Sequence, residues 1–225
     1  QSGATLGDAA VTIANTASLS TTGGALTDAT ALDVDGTFTL AGDETIATLA
    51  GGGTVALAGH TLAVGSGVAG EGFAYSGALT GDAVSVLRTE TSGDALILSG
   101  DLSGFGGRLE IAHGTLGLTQ TTTLSSGGIA FVADASVANA APVLSLADVA
   151  VLSNDLSVAT GVSAQITSDG MTQLTGDLAL DGDLSLSASS GVLTLASGNV
   201  TSGAGATLSI DAGTVALGSS GAVAL

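Results

Sequence analysis

Apolar and polar positions alternate along most of this chain in short bursts broken by turn-forming residues. Thr37-Phe38-Thr39-Leu40, Thr54-Val55-Ala56-Leu57, Thr61-Leu62-Ala63-Val64 and Ala83-Val84-Ser85-Val86-Leu87 all follow it. So do Asp94 to Leu98, Leu109-Glu110-Ile111, Leu116-Gly117-Leu118 and Ile129 to Val132. The second half continues with the pairs Leu144/Leu146, Val149/Val151, Leu156/Val158, Leu178/Leu180, Leu184/Leu186, Leu193/Leu195, Leu208/Ile210 and Val215/Leu217. A period of two places alternate side chains on one face, so each burst predicts a short strand with one buried side. Gly, Ser, Asn and Asp between the bursts supply the turns.

Two cassettes recur. Gly-Thr-apolar-x-Leu appears at Gly36–Leu40, Gly53–Leu57, Gly114–Leu118 and Gly213–Leu217, with close variants at Gly191–Leu195 and His60–Val64. Asp-Leu after a turn residue appears at Gly100–Gly104, Asn154–Val158, Gly176–Leu180 and Gly182–Leu186. In the second cassette the Asp is expected to bond its own backbone two residues on and so fix a corner. Strand starts in the C-terminal third lie mostly six to nine residues apart. Three such strands make a coil of about 20–25 residues, within the repeat range of solenoids.

A hairpin architecture would need many tight Asn-Gly or Asp-Gly turns. Only Asp35-Gly36, Asp169-Gly170 and Asp181-Gly182 qualify. The Ala-rich stretch 135–159 keeps apolar pairs two apart and contains Pro142, which favours strands over a helix. No composition break divides the chain, so residues 1–225 are expected to form one β-solenoid domain.

Composition sharpens the expected core. Of 225 residues, 36 are glycine and only five are aromatic: Phe38, Phe73, Phe105, Phe131 and Tyr75. The interior must therefore be built from many small aliphatic units rather than a few large rings. A mean hydropathy of +0.61 argues against disorder.

The net charge of −18, with no lysine and only Arg88 and Arg108 as strong cations, excludes a nucleic-acid-binding surface. It equally disfavours attraction to an anionic membrane. The acids read first as solubilising charge. No cysteine is present, so disulfides play no part. Gln1 to Thr5 lacks the basic and apolar regions of a signal peptide. No run of about 18 apolar residues exists to span a membrane as a helix.

Residues 46–118 carry a specific likeness. Leu49 to Gly65, then Tyr75-Ser76-Gly77-Ala78-Leu79-Thr80-Gly81, then Gly93 to Leu118 follow a succession of Gly-rich repeats. This resembles the passenger domains of bacterial autotransporters and related large adhesins. The resemblance implies a right-handed parallel β-helix, extracellular or on the outer surface of a Gram-negative cell. The family's Asn-Thr-Tyr after Leu-Ser-Gly is Asp101-Leu102-Ser103 here, with Phe105 as the ring. Neither a translocator barrel nor a protease motif accompanies it, and the likeness is one of scaffold, not activity.

Candidate chemistry is sparse. Asp33/Asp35 and Asp181/Asp183 are i, i+2 pairs that could meet the carboxylate separation of glycoside hydrolysis, about 5–9.5 Å. Bases and sugar-stacking rings are lacking nearby, so turn formation is the simpler role. The same acids raise calcium, yet the further ligands of a Ca²⁺ loop are missing. His60 and His113 occupy equivalent cassettes and read as turn residues. Ser is abundant without a Gly-x-Ser-x-Gly elbow. Arg88 and Arg108 are expected to pair with Glu90 and Glu110, two residues along the same strand face. No catalytic, cofactor or metal residue is therefore assigned.

The expectation is an all-β, right-handed parallel β-helix of roughly ten coils, on the order of 50 Å long at a rise of ~4.8 Å per coil. Its function is expected to be non-enzymatic: a surface stalk, an adhesive segment or a subunit that self-associates through solenoid ends or faces. A host or neighbouring-cell surface is the other expected partner. A β-helix enzyme acting on polysaccharide is the alternative.

Overall fold

A computed structural model describes residues 10–65, 73–119, 127–134, 137, 141–196, 199–218 and 223–224. Gln1 to Thr5 lie outside the described residues, as do 135–136 and 138–140 of the Ala-rich stretch. Every named strand pairing is parallel, and no helix occurs among the described residues. The chain is a β-solenoid in which three sides are visited in turn.

The first side stacks Ala10–Ile13, Ala31–Val34 and Thr48–Ala50 at its start. The second stacks Ser18–Thr21, Thr37–Leu40, Thr54–Ala56 and Ala78–Thr80. The third begins at Glu44–Ile46 and Thr61–Val64. Long strands, Val86–Leu98, Arg108–Thr119 and Asp183–Leu195, bend round a corner and serve two sides each. The stack has about eight turns, slightly fewer than the ten expected. The first turn has only an isolated bridge at Leu26 on its third side, and the sixth passes through 120–126. Register partners show turn lengths from 17 residues (Ala31 to Thr48) to 28 (Leu116 to Leu144), wider than the spacing predicts.

Parallel, in-register stacking turns the alternation into continuous columns. On the third side Leu62, Leu87, Leu109, Ile129, Leu156, Leu178 and Val200 stand directly over one another, all buried. On the first side Leu96, Leu116, Leu144, Ile166 and Leu186 do the same. Each such side chain contributes about 1.5–3 kcal/mol by leaving water. All five aromatics are buried in the same interior. Phe105 is buried and its backbone bridges to Gly81.

The Ala-rich stretch forms the strands Val143–Ala147, Val151–Leu152 and Leu156–Val158, as its pattern predicts. One pair within it departs from expectation. Val149 is buried but Val151 is exposed, because the chain rounds a corner there and Leu152 takes the inward place.

Two kinds of glycine lie behind the first cassette. Gly36, Gly53, Gly77 and Gly100 stack at the corner between the first and second sides. A Cβ on Gly53 would lie 2.2 Å from the Gly36 carbonyl oxygen, one on Gly77 2.0 Å from that of Gly53, and one on Gly100 1.9 Å from that of Gly77. Successive turns touch there backbone to backbone. Gly114, Gly191 and Gly213 instead adopt φ of 74°, 69° and 77°, bending the long strands from one side to the next.

Tyr75 belongs to the glycine corner. Its hydroxyl donates to the carbonyls of Gly53 and Ala78, both at 2.9 Å. Burial pushes its pKa well above the ordinary tyrosine value, against a smaller opposing effect of a backbone hydrogen bond involving Val55. Glu44 closes the opposite corner of an early turn. It is buried in the column above Leu62, and its two carboxylate oxygens accept the N–H groups of Ala25 and Leu26 from the preceding turn.

Candidate functional site

Most acids with described partners hold turns together. Asp101 behaves as predicted: it accepts the N–H of Ser103, two residues on, at 2.8 Å, and the Ser103 hydrogen bonds lower its pKa. The other Asp-Leu cassettes differ. Asp155 accepts the N–H of Asp177 at 2.9 Å, Asp177 that of Asn199 at 2.8 Å, and Asp183 that of Thr207 at 3.0 Å. Asp43 accepts the N–H of Thr61 at 2.8 Å. Each acceptor reaches one whole turn onward, because parallel registration brings the next turn's N–H beside a carboxylate that precedes a strand.

The two acid pairs singled out above, Asp33/Asp35 and Asp181/Asp183, are exposed. Asp33 is exposed beside Thr12 and Ala50, its register partners, and Asp35 is exposed at the following turn. Asp183 is occupied by both the N–H and the hydroxyl of Thr207. Among the described residues no three His, Asp or Glu side chains converge.

The chain's cations do gather. Arg88 Nε lies 2.6 Å from Glu90 Oε1, and Arg108 pairs with Glu110, as the spacing predicts. The Arg88 contact is charge at short range rather than an aligned hydrogen bond, so its Nε–H stays unsatisfied. A third contact links the two turns, Arg88 Nη1 to Glu110 Oε2 at 3.7 Å. Arg88 and Glu110 are direct register partners one turn apart, a signal readable from their separation only once the turn length is known.

The two histidines are not equivalent. His60 sits at a corner with Nδ1 3.7 Å from Asp43, half-buried. His113 lies inside the strand Arg108–Thr119, across from Glu90, and its Nδ1 is 2.7 Å from Asp134 Oδ2. Both members of that pair are nearly enclosed. Sequence reasoning missed it, since Asp134 stands in no cassette.

Below Arg108 a groove of about 430 Å³ runs down the third side across successive turns. Its wall follows Arg108, the first residue of its strand, and then the positions just before each following strand: Gly128, Asp155, Asp177 and Asn199. Backbone bonds from Leu109 to Gly128, Ile129 to Asp155, Leu156 to Asp177 and Leu178 to Asn199 keep these positions in line. The floor is mostly carbon, from Ala179 and the edges of Ile129, Leu156 and Leu178. Asp155 and Asp177 are exposed on the wall, each with one carboxylate oxygen held by the backbone of the next turn. Chemically the groove offers carboxylate acceptors beside an apolar floor, with one guanidinium at its head.

No family model matches this chain, and neither the curated proteins nor the solved structures compared with it include a match.

Proposed function

We propose that this β-solenoid is a non-enzymatic structural or adhesive element, a stalk or self-associating subunit on the outside of a Gram-negative cell. The observation that carries the reading is the use of the acids. Asp43, Asp155, Asp177 and Asp183 are each engaged by the backbone of the following turn, so the residues from which chemistry would be drawn serve the stack. The likeness of residues 46–118 to passenger repeats supports the location.

Self-association draws on a second observation. The strand Leu208–Leu217 leaves Ile210 and Leu217 exposed in columns where a further turn would stack. A further turn buries both, whether from the same chain or from another copy; the filament reading takes the second. Unpaired strand edges are templates for such pairing.

Electron microscopy with sedimentation velocity tests the reading. Rods of roughly 40 Å, about eight turns at ~4.8 Å each, are expected, growing into filaments with concentration. I210D/L217D should hold the rods at unit length. Sugar release from polysaccharide that is lost in D33A/D35A or D181A/D183A would instead establish the enzyme alternative.

A further inference from the structure

We propose that the groove below Arg108 binds a short linear aliphatic diamine, with one ammonium on Asp155 and the other on Asp177. The inference is independent of the structural role above. Along the wall the charge sequence is Arg108 positive, Gly128 empty, Asp155 and Asp177 negative, Asn199 neutral. Each aspartate gives Oδ1 to a backbone N–H of the next turn, which leaves Oδ2 for a second donor. The two carboxylates stand one turn apart, ~4.8 Å by the spacing of stacked strands. Two ammonium groups joined by three or four methylenes span that interval. The methylenes lie on Ala179 and the carbon edges of Leu156 and Leu178.

Other occupants fit less well. The groove falls within the size range of small-molecule sites, about 300–1,000 Å³. A second copy of this chain brings no lysine, and both its arginines are paired with glutamates. Two carboxylates do not supply the six to eight oxygens that Ca²⁺ takes. The charge window also limits the ligand's length. A third ammonium would meet Arg108 across Gly128 at one end or the neutral Asn199 at the other.

Titration calorimetry of the full chain with 1,4-diaminobutane at low salt is the test, with the linear tetraamine spermine as comparison. Saturable one-to-one binding is expected, with spermine less than about threefold tighter, because only two wall charges are available to exposed ion pairs. D155N/D177N should weaken diamine binding about tenfold, while D33N/D35N, an equal charge change elsewhere, leaves it unaltered. The amide oxygens can accept the same backbone N–H groups, and an unchanged melting point confirms the fold. R108Q should tighten binding by removing the repulsion at the groove's head. Three results overturn the proposal: affinity climbing steeply from diamine to tetraamine, the same loss in D33N/D35N, or no saturable binding.

Discussion

The carboxylate of Asp177 accepts the backbone N–H of Asn199, one full turn further along the chain, at 2.8 Å. Asp155 does the same for Asp177 itself, so the residue is both donor and acceptor in one column. If oxygen rather than charge is what matters, D177N should lose little stability and D177A about 1 kcal/mol. Equilibrium urea unfolding separates the two. Equal losses in both variants would show that the column is held by charge.

The two glycine classes predict different costs. At Gly77 an added Cβ meets the Gly53 carbonyl at 2.0 Å and the Tyr75 hydroxyl at 2.6 Å, so the backbone itself must move. G77A should destabilise by about 3 kcal/mol or more. At Gly161 the φ is 77° but nothing lies within 4 Å, so G161A carries conformational strain alone, about 1–2 kcal/mol. Denaturant midpoints of the pair should rank accordingly; the opposite order would refute the backbone contact at the corner.

Tyr75 is the one tyrosine in a chain without tryptophan, so its ionisation can be followed directly in the ultraviolet. Its folded pKa is raised above the unfolded value of 10.0. The neutral phenol therefore stabilises the fold in full below pH 10, and the contribution is lost as pH climbs beyond it. Tyrosinate absorbance should stay flat through pH 10 and rise together with alkaline unfolding. In Y75F that alkaline step disappears, and the loss of the hydroxyl's bonds costs about 1–3 kcal/mol at neutral pH, although the Gly53 carbonyl keeps the Ala78 N–H. Ordinary titration near pH 10 in the intact fold would contradict the buried hydrogen bonds.

Glu110 contacts both arginines, whereas Arg108 contacts Glu110 from a half-exposed position. R108Q should cost under about 1 kcal/mol, as exposed pairs do. E110Q removes the shared partner of two cations, and its side chain is 10% exposed, so about 2 kcal/mol is expected. A double-mutant cycle of Arg88 and Glu110 measures the link between turns; a coupling of zero would leave only the pairs within each strand.

The strands, the three-sided coil and most inward residues were legible because the alternation is local. Leu178/Leu180 and Leu184/Leu186 are buried as their spacing predicts. The pairing of Arg88 with Glu90 and Arg108 with Glu110 was legible for the same reason. What escaped depends on the neighbouring turn. Asp155, Asp177 and Asp183 share a cassette with Asp101, yet only Asp101 bonds within its own corner. Val149 and Val151 alternate correctly and still part company, since a corner intervenes. His113 finds Asp134 across 21 residues of chain. The groove has no motif at all: it arises where Arg108, an absent side chain at Gly128 and two staple acids fall into line.

The glycine corner also says where this chain can accept additional sequence. From Val34 to Thr37, Ala50 to Thr54, Tyr75 to Ala78 and Leu98 to Asp101 the first-to-second corner keeps nearly constant length. Turn length varies elsewhere: the 24-residue step from Gly51 to Tyr75 contains 66–72, and the 28-residue step from Leu116 to Leu144 contains 120–126 and 135–140. One edge of the rod thus works as a binding spine and the others as open margins. A peptide epitope grafted at Gly161, where nothing lies within 4 Å, should be carried on the surface of a folded rod, while the same graft between Tyr75 and Ala78 should prevent the turns from closing.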